Sequence, residues 1–292
     1  MKKLSDVGVI KDILLRHGFK FSKSMGQNFL INPSVCPRMA CECSNDKTNG
    51  VLEIGPGIGV LTCELASVFK KVVSVELDKR LLPVLRETLA YYNNVKVINE
   101  DILKLDIKKV IKDEFNGEKI AVCANLPYYI TSPVIMKLLE NKLPISSITV
   151  MVQKEAADRI CALPGTRQAG AISIAVRYYS DPQVLFKVTK GSFMPSPKVD
   201  SCVIKLSILD RPSVDVCNEK LFFDIVKASF SKRRKNILNS LSSGIKLPKD
   251  EISSLLISLG LNANLRAEQL TMKQFAMISN KVCDIIDEKA SK

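Results

Sequence analysis

Short β-branched runs alternate with helical stretches through the middle of the chain, and this alternation restricts the fold more than any other feature. The runs predict five strands, at residues 50–54, 71–76, 95–99, 119–124 and 146–152. The stretches between them have helical periodicity, at residues 59–69, 79–91, 107–114 and 132–141. Strands and helices that alternate in this way form a parallel sheet covered by helices on both faces. We therefore expect an α/β fold of the doubly wound type.

The segments on either side of this alternation complete the predicted domain organisation. Residues 5–16 have the pattern of an amphipathic helix with Ser5 as its N-cap, and a second helix begins at Pro33. After the fifth strand the pattern predicts two helices and two more strands, at 154–162, 169–179, 183–189 and 201–208. Four further helices follow, at 219–230, 233–242, 249–259 and 273–288. Because residues 210–213 have the composition of a linker, we expect two domains, residues 1–209 and a small helical domain of residues 210–292.

The positive charge of the chain is concentrated towards its two ends. The formal net charge is +13, and residues 2–38 and residues 217–292 carry +5 each. A basic protein attracts polyanions and steers their approach. We therefore expect a nearly neutral catalytic core flanked by segments that contact nucleic acid. A basic surface that merely keeps the protein soluble would give the same count.

Cysteine and histidine usage excludes several classes of site. The chain has nine cysteines and no secretion signal, which predicts a reducing compartment, the cytoplasm. No apolar run approaches the roughly 20 residues of a membrane span. Cys36, Cys41 and Cys43 lack paired CxxC spacing, so we expect buried thiols rather than a metal site. The only histidine, His17, should end the first helix at the surface, which argues against a His-dependent catalytic triad.

A glycine-rich segment, EIGPGIG (53–59), follows the first strand of the alternation and opens a helix. Glycines at such a bend let the backbone approach a ligand, because no Cβ stands in the way. The pattern is close to a dinucleotide fingerprint, but Pro56 removes an N–H from the loop that would hold a pyrophosphate. The acidic Glu53 suits an ammonium or sulfonium ligand better than phosphates. The segment therefore favours a cationic ligand over a nicotinamide dinucleotide.

Acidic residues end the next two predicted strands. Glu76 ends the second, where a carboxylate can accept hydrogen bonds from both ribose hydroxyls of an adenosine. Asp101 follows the third, where it could accept from the adenine amino group. Either acid alone is equally consistent with a helix cap or a solvent-exposed residue. Together with the glycine loop they lie at the carboxyl ends of three consecutive strands, where doubly wound sheets bind ligands.

The fourth predicted strand is followed by the string NLPY (125–128). The exocyclic nitrogen of adenine is a poor nucleophile because its lone pair is delocalised into the ring. A site that methylates it must hold the amino group with acceptors, such as the Asn125 side-chain oxygen and a backbone carbonyl next to Pro127. Tyr128 can stack on a base that has been flipped out of its helix. An Asx-Pro turn with a buried tyrosine would explain the same string, so the string alone leaves both interpretations open.

The sequence resembles the ribosomal RNA adenine dimethyltransferases, and especially their bacterial KsgA (RsmA) type, in stretches that run nearly from end to end. These stretches are SKSMGQNFL (22–30), VLEIGPGIGVLT (51–62), VELD (75–78), EDILKLD (100–106), NLPYYITSP (125–133), MVQKE (151–155), FMPSPKVDS (193–201), FSKRRK (230–235) and LRAEQLT (265–271).

This resemblance implies a fold, a cofactor and a reaction. The fold is that of a class I methyltransferase (Rossmann-like), a seven-stranded, mostly parallel sheet whose last pair is antiparallel, with a small C-terminal helical domain. The cofactor is S-adenosyl-L-methionine. The reaction is N6,N6-dimethylation of two adjacent adenosines in a hairpin near the 3′ end of small-subunit rRNA, during ribosome biogenesis. We expect the partner to be the immature small ribosomal subunit, and the protein to act as a monomer away from membranes.

The resemblance also assigns residues to the site. The cofactor contacts fall on Asn28, Leu30, Gly55, Glu76, Asp101 and Asn125. The catalytic pocket falls on Asn125, Leu126, Pro127, Tyr128 and Phe193, with Phe193 facing the flipped adenine opposite Tyr128. Ser24 and Met25 stand where many relatives have an aliphatic or aromatic residue, a departure that concerns the closing contacts of the N-terminal loop.

The densest run of positive charge is Lys232, Arg233, Arg234 and Lys235, which we expect to begin a helix after Phe230. Cationic side chains of this kind contact phosphates and so supply affinity rather than sequence choice. We assign the four residues to RNA binding, although a solvated helix face would have the same composition.

Three other functions share part of this pattern. A resistance-type methyltransferase of large-subunit rRNA has the same cofactor loop, but the LRAEQLT segment and the NLPY spelling favour the small-subunit enzyme. A nucleic-acid-binding assembly or transcription factor could keep the fold without the chemistry, but the intact NLPY string with Glu76 and Asp101 argues against this. A nicotinamide oxidoreductase is disfavoured by Pro56 and by the lack of a candidate catalytic histidine.

Overall fold

The computed structural model describes residues 4–19, 28–43, 50–232 and 234–290, and these form two compact units. The first unit comprises Met1–Ala157 and Pro182–Ile208, and the second comprises Asp158–Asp181 and Leu209–Lys292. The division at Ile208 lies within one residue of the boundary predicted from the linker composition. The second unit also takes Asp158–Asp181, a segment that the sequence interpretation assigned to the first domain.

Nine strands are present in the described ranges, and seven of them form one sheet. Their bounds are β1 Phe29–Leu30, β2 Val51–Ile54, β3 Val72–Glu76, β4 Val95–Asn99, β5 Ile120–Asn125, β6 Ile145–Gln153, β7 Ser180–Val188, β8 Phe193–Met194 and β9 Ser201–Ile208. The sheet has the order β4-β3-β2-β5-β6-β9-β7, and β1 pairs separately with β8.

The pairing confirms the predicted, mostly parallel sheet. Strand β2 is parallel to β3 and β5, and the parallel set extends to β4 on one side and β6 on the other. Strand β9 then pairs antiparallel with β6, as expected for the end of a class I methyltransferase sheet. From β2 the sheet continues through β3 and β4 on one side and through β5 and β6 on the other. A crevice therefore opens at the carboxyl ends of β2 and its neighbours. Pro182 lies in the edge strand β7, where a missing N–H is tolerated.

Helices of the first unit lie close to where the periodicity predicts them. Their bounds are α1 Val7–Arg16, α2 Val35–Glu42, α3 Val60–Val68, α4 Leu82–Thr88, α5 Ile107–Phe115, α6 Thr131–Glu140 and α7 Lys154–Ile160, the last of which ends in the second unit. The predicted N-cap of α1 is wrong. Asp6, not Ser5, caps this helix, because its Oδ1 accepts from the N–H groups of Gly8 at 2.8 Å and Val9 at 3.2 Å.

Helix α1 is anchored at both its apolar face and its C-terminal end. Ile10, Ile13 and Leu14 are buried in a cluster that includes Phe29 of β1. His17 ends the helix, as predicted, and its Nε2 lies 2.6 Å from an oxygen of Glu87.

The three cysteines of the α2 region differ in exposure. Cys36 and Cys43 are buried, whereas Cys41 is exposed, so the expectation of buried thiols is wrong for Cys41. Cys41 lies on the solvent side of a helix whose buried residues include Cys36 and Met39.

The second unit is helical and has its own core. It contains α8 Ala171–Tyr179, α9 Glu219–Phe230, α10 Ile237–Gly244, α11 Lys249–Ser258 and α12 Met272–Ala290. Fully buried side chains of this core include Phe222, Leu241 and Phe275. A Cβ on Gly244 would lie 2.4 Å from the Cβ of Ala228, so the close crossing of α9 and α10 requires glycine there.

The basic run does not begin a helix, so that part of the sequence interpretation is wrong. Helix α10 begins at Ile237, because the Asn236 side chain accepts from the N–H of Asn239 and caps it. Lys232 and Lys235 lie in the turn before this cap, where the Lys235 N–H donates to the Lys232 carbonyl at 2.9 Å. Arg233 lies outside the described residues.

Among the described residues, no helix has both the length and the apolar character that crossing a membrane requires.

Candidate active site

A cleft at the carboxyl ends of β2, β3, β4 and β5 brings together every residue predicted for the cofactor and the catalytic pocket. All of these residues belong to the first unit. They are Asn28, Leu30, Gly55, Glu76, Asp101, Asn125, Leu126, Pro127, Tyr128 and Phe193. The cleft lies where the strand order predicts a binding crevice. Lys232, Arg234 and Lys235, the described residues of the basic run, are not among those that line it.

The glycine loop after β2 forms one wall of this cleft. Gly55 and Gly57 have φ angles of +72° and +61°, which residues with a Cβ rarely adopt. A Cβ on Gly55 would meet no other atom within 4 Å, whereas one on Gly57 would lie 3.2 Å from the Phe29 ring. The loop therefore presents open space at Gly55 and is packed at Gly57. This is the arrangement that lets a ligand contact the backbone closely.

Glu53 lies beneath the loop and is completely buried. Its Oε2 accepts hydrogen bonds from Ser74 Oγ at 2.6 Å and Thr62 Oγ1 at 2.7 Å. Its Oε1 has no hydrogen-bond partner among the described residues. Burial raises the pKa of Glu53 to about 7, although the two hydroxyls oppose the shift. A buried acceptor with unused capacity thus lies beneath the loop, but Glu53 is not among the residues that line the cleft.

The raised pKa of Glu53 makes the stability of the ligand-free protein depend on pH. The folded state holds the proton more tightly than the unfolded chain, in which glutamate has a pKa near 4.5. Its contribution to the free energy of unfolding is therefore fully present below about pH 4.5 and is lost as the pH rises through about 7. We expect Glu53→Gln to remove a slope of at most about 1.4 kcal/mol per pH unit.

Urea unfolding of both proteins across this pH range measures the slope. Glu118→Gln is the matched control, because Glu118 is exposed. Parallel stability curves for the wild type and Glu53→Gln would contradict the assignment of the raised pKa to Glu53.

Glu76 ends β3 and is only 6% exposed. Its two oxygens accept from the N–H groups of Asp78 at 2.8 Å and Gly57 at 3.2 Å. Burial raises the pKa of Glu76, although these backbone hydrogen bonds oppose the shift. Each carboxylate oxygen can accept a further hydrogen bond. Glu76 therefore holds the glycine loop and keeps acceptor capacity for a ligand in the cleft.

Asp101 occupies the corresponding position after β4. Its Oδ1 accepts from the N–H of Leu103 at 2.9 Å, which fixes the carboxylate in a local turn. Asn99 donates to the carbonyl of Glu76 at 2.7 Å and so joins the ends of β3 and β4. The two acids that the sequence placed at strand ends thus lie on neighbouring strands of one cleft.

The NLPY segment leaves β5 at Asn125, whose side chain has no hydrogen-bond partner among the described residues. The Pro127 carbonyl accepts from the Ile130 N–H at 3.1 Å and from Thr131 Oγ1 at 3.4 Å. This occupies one of the two carbonyls next to the proline ring. The acceptors that remain for a ligand are the Asn125 side-chain oxygen and the Leu126 carbonyl.

Two contacts around the aromatic residues were not foreseen from the sequence. The Tyr128 hydroxyl lies 3.1 Å from Oγ of the fully buried Ser201 in β9, which orients the ring. Phe193, 4% exposed, pairs with Leu30 in the two-stranded ladder of β8 and β1. The strand that carries a predicted cofactor contact is thus hydrogen-bonded to the strand that carries a predicted base contact.

Fold and site together define a class I methyltransferase, because β9 is antiparallel to β6 in an otherwise parallel set, a glycine loop follows β2, and acids stand at the end of β3 and after β4. A family model described as ribosomal RNA adenine dimethylase matches residues 18–284. The chain belongs to this family, and it is therefore an rRNA adenine dimethyltransferase.

Similar proteins extend over almost the whole chain. The ribosomal RNA small subunit methyltransferase A of Alkaliphilus oremlandii is 48% identical over 283 residues, which cover 97% of this chain and 99% of that protein. The protein of the same name from Clostridioides difficile is 45% identical over 291 residues, covering 100% of this chain and 99% of the relative.

Two solved structures of methyltransferases are also similar. A dimethyladenosine transferase from Plasmodium falciparum has a TM-score of 0.72 at 26% identity, covering 89% of this chain and 98% of that one. The 23S rRNA methyltransferase ErmE has a TM-score of 0.69 at 27% identity, covering 88% of this chain and 100% of that one.

Proposed function

We propose that this protein uses S-adenosylmethionine to dimethylate two adjacent adenosines in a hairpin near the 3′ end of small-subunit rRNA. The observation that carries the proposal is the opening of Asn125–Tyr128 into the same cleft as Gly55, Glu76 and Asp101. The names of the relatives that are 45–48% identical over nearly the full chain support the small subunit as the target. The protein would act in the cytoplasm, as a monomer, on the immature small subunit.

The residues present fit this cofactor. Gly55 has open space where a Cβ would stand, and it lines one cleft together with Glu76 and Asp101. Glu76 would accept from the ribose hydroxyls and Asp101 from the adenine amino group. The backbone at Gly55, with Asn28 and Leu30, would hold the methionine end. When bound, S-adenosylmethionine supplies an electrophilic methyl group.

The task of the catalytic residues is to position the target nitrogen. The Asn125 side-chain oxygen and the Leu126 carbonyl would each accept a hydrogen bond from the adenine amino group, which turns its lone pair towards the methyl donor. Tyr128, oriented by Ser201, and Phe193 would enclose the flipped base. No strong general base is required, because the nitrogen becomes acidic once it is methylated. Catalysis in this site is mainly positioning.

Incubation with labelled S-adenosylmethionine and undermethylated small subunits tests the proposal directly. We expect four methyl groups per subunit, located on two adjacent adenosines by mass spectrometry. Large subunits serve as the parallel substrate. Label found only in large-subunit rRNA, or in neither subunit, would refute the proposal.

We further propose that the basic run binds rRNA phosphates. Lys232, Arg234 and Lys235 lie in the turn that precedes α10, and Lys232 Nζ lies 3.3 Å from Ser243 Oγ. Replacing both Arg234 and Lys235 with alanine should weaken binding to small subunits and leave cofactor affinity unchanged. Each lost phosphate contact should flatten the slope of log affinity against log salt by about 0.7–0.9.

Binding curves at several salt concentrations measure this slope. A double alanine variant of the exposed Lys220 and Lys273, which also lie in the second unit, is the control for the loss of two charges. An equal slope in the two double variants would mean that the run contributes only general charge.

A further inference from the structure

Tyr129 is a large aromatic side chain at the opening of the cleft, and the mechanism above does not use it. It is 58% exposed and yet belongs to the cleft lining. It forms no hydrogen bond, ion pair or ring contact with any described residue. A single exposed aromatic residue elsewhere on a surface needs no explanation. The position of Tyr129 beside Tyr128, in a cleft proposed to receive a nucleobase, does require an explanation.

The backbone directs Tyr128 and Tyr129 away from each other. The two residues belong to one 3-10 turn, Tyr128–Ile130, which the Pro127 carbonyl closes by accepting from Ile130. Neighbouring side chains in such a turn are separated by about 120° around its axis. Tyr128 is held inwards by Ser201, so Tyr129 is directed to the solvent side of the opening.

The divergence of the two neighbouring side chains suits two neighbouring nucleotides, one inside the pocket and the other at its opening. A base flipped into the pocket no longer stacks on its neighbour, and that neighbour is left at the opening. Stacking on an aromatic side chain compensates for such a loss with little regard to base identity.

We propose that Tyr129 is a substrate-positioning residue that stacks on the base adjacent to the adenosine held by Tyr128. This inference rests on the proposed function, because it requires a target of two adjacent adenosines. While one adenosine is methylated, Tyr129 holds its neighbour at the opening of the cleft. It also limits the motion of the strand and so lowers the KM for the RNA substrate.

Steady-state methylation of undermethylated small subunits by three variants tests this role. Tyr129→Ala should raise the KM for the subunit by at least about 5-fold, the lower limit for loss of one stacked base, with little change in kcat. Tyr129→Leu keeps an apolar side chain without a ring and should behave like the alanine variant. Tyr129→Phe keeps the ring and should behave like the wild type. Affinity for S-adenosylmethionine and the melting temperature should be unchanged in all three.

Tyr91→Ala is the matched control, because Tyr91 is 78% exposed in the same unit and does not line the cleft. A KM for Tyr129→Ala equal to that of Tyr91→Ala would overturn the assignment. So would a leucine variant that matches the phenylalanine variant, or an effect that appears as lost stability or lost cofactor affinity. Failure of the wild type itself to methylate small subunits would instead refute the proposed function, and the assignment with it.

Discussion

Asn125→Ala should lower the turnover of rRNA methylation at saturating cofactor by about 100-fold or more, because misplacement of a reacting group by 1 Å can cost that much. Asn125 ends β5 and has no hydrogen-bond partner among the described residues, so its side-chain oxygen is available to the adenine amino group. Without this acceptor the lone pair of the nitrogen stays delocalised in the ring. Single-turnover methylation at saturating S-adenosylmethionine isolates this step from cofactor binding.

Asn125→Asp supplies the control for this prediction, because it retains an acceptor oxygen at the same position. We expect it to keep more activity than the alanine variant. Circular dichroism and cofactor titration establish that each variant is folded. Near-normal turnover by folded Asn125→Ala would exclude Asn125 from the alignment of the nucleophile.

The sheet and the cofactor edge were predictable because their signals are local. Strand β4 occupies Val95–Asn99 and β9 occupies Ser201–Ile208, the bounds that the hydrophobic pattern predicts. The prediction that acidic residues at the ends of β3 and β4 lie close together needed only one rule, that the carboxyl ends of parallel strands lie at one edge of a sheet. Each of these inferences uses residues within a single strand and its following turn.

Contacts between distant segments could not be predicted in the same way. The hydrogen bond between Tyr128 and Ser201 joins residues 73 positions apart, and the one between Ser74 and Glu53 joins residues 21 apart. Neither partner has a sequence signature that names the other. The assignment of Asp158–Asp181 to the second unit is similar, because an apolar helix face does not specify the surface that buries it.

Helix starts depended on a choice between neighbouring caps. Ser5 and Asp6 are both good N-cap residues, and the carboxylate of Asp6 forms the hydrogen bonds. The Asn236 cap likewise starts α10 at Ile237 and leaves the basic run in a turn. The positive charge of that run is visible in the sequence, but its conformation depends on which residue caps α10.

Glu76→Ala should weaken the binding of S-adenosylmethionine by about 3 kcal/mol or more, which is over 100-fold in Kd, because two charge-assisted hydrogen bonds to the ribose are worth about 1.5–3 kcal/mol each. The carboxylate is 6% exposed, so water replaces its hydrogen bonds poorly. The variant also loses the acceptors of the Gly57 and Asp78 N–H groups, which adds to the effect by loosening the glycine loop. Isothermal titration calorimetry measures the affinity.

Two further variants separate the ligand contact from the support of the loop. Glu76→Gln keeps the shape of the side chain and one acceptor oxygen, so it should preserve more of the loop while losing the charge that strengthens the ribose hydrogen bonds. We expect its affinity to lie between those of the wild type and the alanine variant. Glu118→Ala, at an exposed position, controls for the loss of a negative charge. Thermal unfolding without cofactor measures how much each substitution destabilises the folded protein. A folded Glu76→Ala protein with unchanged affinity would remove Glu76 from the cofactor site and leave it only the role of holding the loop.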